Sequence, residues 1–152
     1  MSARPAIRRR AASLAALCLA LLGPVQAACG ATIEVVFDGV PNDRGQALFA
    51  LFAAPEGFPN EVDAAVARAR AEVVDGRARV VFENVAAGDY ALSALHDANG
   101  SGGIDLNLFG IPKEKFGVSN VAKGRPVWRD ARFTVSAGSG TIALELRPLR
   151  FY

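Results

Sequence analysis

An all-β fold, an antiparallel Greek-key β-sandwich of about seven strands, is predicted by three observations on this sequence. Short apolar runs alternate with polar residues at period two. Clusters of Gly, Pro, Asn and Asp separate those runs. A Gly88-Asp89-Tyr90 step follows a turn and opens a late strand. A tyrosine so placed is either the corner residue of Greek-key sandwiches, its hydroxyl bonding back to the backbone of the preceding connection, or an ordinary strand aromatic.

Taken in chain order, the first strand is expected at 32–38, where Ile33, Val35 and Phe37 alternate with Glu34 and Asp38. A turn cluster at 41–45 leads into an apolar run of strand length at 46–53. Beyond the Pro-Gly loop at 55–59, the Ala-rich stretch 61–71 reads as a short helix with Val62, Ala65, Val66 and Ala69 on one face. Strand character returns at Val73-Val74. Asp75-Gly76, between it and the run at 77–82, is a hairpin-turn signature.

Residues 84–95 read as a turn and then a strand with Tyr90, Leu92 and Ala94 on one face. The segment 97–127 is dense in Gly, Asn, Asp and Pro and is expected to be a long irregular loop after the strand ending at His96. Strands at 128–135 and 141–147 close the chain. With no repeat or low-complexity tract, residues 28–152 are expected to form one domain.

The first 27 residues have the layout of a signal peptide. Arg8, Arg9 and Arg10 precede an apolar stretch at 11–22, and small residues surround Ala27. The stretch is shorter than the ~20 residues a membrane-crossing helix needs, so no transmembrane span is expected in the mature chain. The expected address is exported, periplasmic or secreted. Cys29, beside the cut, is a candidate for lipid attachment, which leaves a soluble and a lipid-anchored form both open.

Cleavage changes the charge balance. Residues 1–27 hold four arginines and no acid, so 17 basic residues become 17 − 4 = 13 against 15 acidic, a net of −2. No basic surface remains to track a phosphate backbone, which excludes nucleic acid as a partner. Cys18 leaves with the signal, so no intramolecular disulfide is available.

One loop carries chemistry. With Asp97 counted as position 1, Asp97, Asn99, Ser101 and Asp105 stand at 1, 3, 5 and 9, Gly102 at 6 and Gly103 at the carbonyl position 7, as at the start of an EF-hand calcium loop. Position 12 holds Leu108 where a bidentate Glu belongs, and Asn107 or Glu114 would have to supply the later oxygen. The competing reading is that these residues are turn formers, which Asp, Asn and Gly commonly are.

His96 is the single histidine. Zinc is disfavoured because structural sites want four and catalytic ones about three Cys, His or acidic ligands. A hydrolase would use His96 as base with Asp97 or Asp105 orienting it and Ser93 or Ser119 as nucleophile, but no nucleophile-elbow pattern exists. The favoured role for His96 is to hold the loop to the sheet. Phe109, Ile111, Phe116 and Val118 are expected to fold back and cap the open end of the sandwich rather than line an exposed groove.

ALFALFAAPEGFP at 47–59 and GRARVVFENVAAGDYALSALHDANGSGGIDLNLFGIPKEKFGVSN at 76–120 resemble the domain-of-unknown-function 2141 family of exported bacterial proteins. The chain is more distantly similar to prealbumin-like and carboxypeptidase-regulatory-like sandwiches, which share the turn-Gly-x-Tyr start of a strand. The resemblance implies an Ig-like or prealbumin-like sandwich and an exported address, and it adds no catalytic residue. The family pattern has Asn where Ser101 stands and Lys or Arg where Gly103 stands, and serine is the poorer calcium ligand.

Three functions follow. The first is a non-enzymatic exported domain binding a small ligand or an envelope protein, its loop held by calcium or by hydrogen bonds alone. The second is the His96 hydrolase. The third is a lipid-anchored scaffold or adhesion module through Cys29. Calcium is the sole cofactor expected.

Overall fold

The computed structural model describes residues 30–105, 108 and 113–150. The expected signal segment, Cys29, Asn107, Phe109 and Ile111 lie outside the described residues.

Eight strands form two sheets packed face to face. The smaller sheet holds β4 (Arg77–Val85), β1 (Ala31–Asp38) and β8 (Thr141–Leu146) in that order, β1 running antiparallel to β4 and parallel to β8. The larger holds β3 (Ala67–Glu72), β2 (Gln46–Phe52), β5 (Gly88–Asp97) and β6 (Lys115–Val118), all antiparallel. The short β7 (Phe133–Val135) pairs with the start of β5 on the side that β6 occupies further along. Ile33, Val35 and Phe37 of β1 meet Phe49 and Leu51 of β2 and Leu92 of β5 in one buried cluster between the sheets. Period-two alternation is what allows each strand to give one face to that core.

β5 is the exception, because every residue from Tyr90 to Asp97 is buried. Its inner face, Tyr90, Leu92, Ala94 and His96, looks into the sandwich. Its outer face contributes Ala91 and Leu95 to a second cluster with Phe116, Val118, Ala131 and Leu149. A strand covered on both sides has little reason to alternate, and ALSAL does so weakly.

Asp75 and Gly76 turn the hairpin between Val74 and β4 with φ of +51° and +71°, the paired positive values of a type I′ turn. Of the two readings of Tyr90, the tyrosine corner is the one that forms. The Tyr90 hydroxyl donates to the Ala86 carbonyl at 3.1 Å, tying the connection to the strand it opens. Tyr90→Phe is expected to lower stability by about 1 kcal/mol, the net worth of one hydrogen bond. Urea denaturation should show this as a lower midpoint with an unchanged slope.

Five expectations are corrected. The helix expected at 61–71 is instead a single 3-10 turn, Val62–Ala64, followed by β3. Ala67, Ala69 and Ala71 pack on the inter-sheet core while Arg68, Arg70 and Glu72 face out, so strand periodicity prevails over alanine's helix propensity. The segment expected to be irregular contains β6, whose buried Phe116 and Val118 belong to the larger sheet instead of capping the end of the sandwich, with Phe116 lining a groove on its outer face. A helical turn, α1 (Trp128–Ala131), replaces the first half of the strand expected at 128–135. Finally, β5 runs one residue beyond His96, to Asp97.

Candidate functional site

The outer face of the larger sheet is grooved, and the pairing registers show how. Arg70, Leu48, Leu95 and Phe116 form one row across β3, β2, β5 and β6; Arg68, Ala50 and Ser93 form the next. One end is bounded by Pro59, Asn60 and Val62, the other by Gly102, Gly103 and Ile104. The volume of this open groove is about 620 Å³, within the ~300–1,000 Å³ range of small-molecule sites. Ile104 packs into the apolar cluster that includes Leu95 and Phe116, so the acidic loop is a wall of the groove.

That loop begins where β5 ends. Adjacent strand residues point to opposite faces, so His96 faces the sandwich interior and Asp97 the outside. Asp97 is nevertheless fully buried, because the loop folds over it. Its carboxylate accepts the Ser101 N–H at 3.0 Å and the Gly102 N–H at 2.8 Å. The Ser101 N–H also reaches Asn99 Oδ1 at 3.0 Å, and the Asn99 amide donates to Asp105 Oδ2 at 2.6 Å. Ser101 Oγ donates to the Gly103 carbonyl at 3.1 Å. Gly102, with φ of +82°, supplies the sharp bend.

Glu114 completes the cluster from just before β6. Its Oε2 accepts the Asp105 N–H at 3.4 Å, and the Lys113 N–H donates to the Asp105 carbonyl at 2.8 Å, which pins the two ends of the segment together. Glu114 Oε1 is buried with no hydrogen-bond partner among the described residues. Burial, joined by the charges of Asp97 and Asp105, raises the Glu114 pKa above the ordinary glutamate value. Among the described residues, no Lys or Arg forms an ion pair with any of these three carboxylates. Nor do any three His, Cys, Asp or Glu side chains among them converge as a ready metal site. As it stands, the loop is closed by hydrogen bonds.

His96 is 2 % exposed and its ring Nε2 lies 2.7 Å from the Arg44 carbonyl. A carbonyl only accepts, so this nitrogen carries the proton. The loop it ties down is the one entering β2, not the one leaving β5. Ser93 lies on the outer face, away from the ring. Ser119 Oγ accepts the Leu92 N–H at 2.9 Å and donates to the Ala131 carbonyl at 2.7 Å. The hydrolase alternative needs His96 open to a pocket beside a serine hydroxyl, and these placements separate the parts.

Spacing alone placed Asp97, Asn99, Ser101, Gly103 and Asp105 in one loop, and the structure adds Glu114 beside them. The groove was not visible in the sequence, since its floor is assembled from four strands. No helix among the described residues is long and apolar enough to cross a membrane.

Fold and site together define a small β-sandwich domain with a grooved outer sheet and an acidic loop at the groove's end. The family model described as "uncharacterized protein conserved in bacteria (DUF2141)" matches residues 35–143. The chain belongs to that family. No curated protein and no solved structure matches it.

Proposed function

We propose that this is an exported, non-catalytic binding domain that takes its ligand in the outer-face groove, with the loop from Asp97 held by calcium. The groove carries the reading: its floor sets Leu48, Ala50, Leu95 and Phe116 beside Arg68, Arg70 and Ser93, and its volume suits a small molecule. Export rests on the arrangement of the first 27 residues. Binding of the neutral fluorophore N-phenylnaphthylamine, read as enhanced emission, tests the groove. The expected result is saturable binding that Leu48→Arg removes; no binding, or binding indifferent to that change, would end the groove reading.

Calcium is supported by Glu114 Oε1, which has no hydrogen-bond partner among the described residues, beside the carboxylates of Asp97 and Asp105, none of the three being ion-paired to a Lys or Arg among those residues. Asp97, Asn99, Ser101, Asp105 and the Gly103 carbonyl would supply hard oxygens, and Glu114 the late carboxylate that Leu108 does not. Extracellular loops of this kind bind at about 10⁻⁴ to 10⁻³ M. At the tighter end, about 10 mM calcium would stabilise the fold by about 2.7 kcal/mol, raising Tm by about 10 °C. The Asp97→Ala, Asp105→Ala double variant should show no rise. A wild-type Tm unmoved by calcium would remove the metal from the account.

Glu114 also sets a pH dependence. Its folded-state pKa is raised, so its contribution to stability is present below the unfolded value and is lost as pH rises through the folded one. The calcium-free domain is therefore expected to weaken as pH climbs out of the usual glutamate range. Glu114→Gln should flatten that slope in chelator and abolish the calcium-induced rise in Tm. A slope identical in wild type and variant would show that Glu114 is not its source.

A further inference from the structure

We infer that the groove's ligand is an anionic amphiphile, its acidic head at Arg70 and Arg68 and its apolar body across Leu48, Leu95 and Phe116. This rests on the groove reading above and goes on to assign the ligand's chemistry. Among the described lining residues the only charged side chains are these two arginines, and both stand at the edge-strand end of the floor. The row from β3 to β6 reads Arg70, Leu48, Leu95, Phe116, a guanidinium followed by three apolar side chains. Ile104 closes the apolar end.

The arginines differ in what already holds them. Arg68 is paired with Asp63 at 3.0 Å, where the Asp63 side chain is 95 % exposed, so an incoming acid competes with a weak surface contact. Arg70 makes no ion pair among the described residues. A planar guanidinium fork matches the paired oxygens of a carboxylate or sulfonate. Polarity graded from one end of the floor to the other fits a ligand graded the same way, and a wholly neutral ligand would leave both cations unused.

The test compares anilinonaphthalene sulfonate with N-phenylnaphthylamine, which share the ring system and differ in the acidic group. Wild-type protein should bind the sulfonate about tenfold more tightly, as one good charged contact contributes. The Arg68→Gln, Arg70→Gln double variant should bring the two affinities together while leaving that of the neutral probe within about twofold. Arg79→Gln, on the exposed face of the other sheet, should leave the preference intact. Equal wild-type affinities, or a preference that survives the double variant, would overturn the head-group assignment and leave the groove standing. Failure of both probes to bind would overturn the two together.

Discussion

Gly45→Ala is expected to remove a large share of the domain's stability. Gly45 sits at the end of the turn into β2 with φ of +70°, a region open to glycine and strained for alanine. A Cβ there would stand 2.0 Å from the Asp97 carbonyl oxygen and under 3 Å from Ala98 Cα and C, all of them backbone atoms. No side chain can rotate to make room. Relief would require pulling β2 from β5 at the Gln46–Asp97 pair, which also breaks the Arg44–His96 bond. Strain and lost pairing together are expected to cost about 3–5 kcal/mol, against the roughly 5–15 kcal/mol that holds a domain folded. Urea denaturation should show a large fall in midpoint or no folded baseline. Gly100→Ala is the control, with a similar φ of +75° and nothing within 4 Å among the described residues, and should cost about 1 kcal/mol. Similar losses at both positions would show that φ, and not the approach of β2 to the loop, decides the outcome.

The strands easiest to read in the sequence were those with one face in the core. β1 and β4 alternate clearly because their outer residues, Glu34 and Asp38 on one, Arg77 and Arg79 on the other, meet water. The Asp75-Gly76 turn and the Tyr90 corner were legible because each has a local sequence requirement. β3 was misread because its inward side chains are all alanine: they fit the close packing beside β2, and alanine signals a helix more strongly than a strand. β6 was hidden because Lys115–Val118 is four residues long and surrounded by turn formers. The parallel pairing of β1 with β8 has no signature, since either strand's pattern suits any neighbour.

The candidate site divides in the same way. The spacing of Asp97, Asn99, Ser101 and Asp105 is a local property and was readable. Glu114 could only be named as a possible later oxygen; its place beside Asp105 depends on how β6 returns to β5. His96 is expected from the sequence to hold the loop after its strand; its Nε2 meets the Arg44 carbonyl instead, because β5 parity puts the ring on the β1–β2 side. The row from Arg70 to Phe116 depends on register across four strands, and register is fixed by pairing that no single segment encodes.

Asp97→Ala is the substitution that separates a hydrogen-bonded loop from a metal-bound one. In chelator the change leaves the Gly102 N–H without its carboxylate acceptor and the Ser101 N–H with Asn99 Oδ1 alone, and at a fully buried position water does not readily replace the lost oxygens. Charge-assisted bonds of this kind contribute about 1.5–3 kcal/mol each, and because the two share one carboxylate the combined loss is expected at about 2–4 kcal/mol. Asp97→Asn should fare little better, since it turns one of the two acceptors into an N–H₂ group that meets an N–H donor. The comparison that decides the matter is repeated in about 10 mM calcium. If Asp97 is also a ligand, the wild type gains the binding free energy and the variant does not, so the stability gap between them widens by about 2–3 kcal/mol. If Asp97 only caps the turn, the gap is the same in both buffers. Any calcium effect on the wild type would then have to be carried by Asp105 and Glu114 without the residue at the centre of the loop.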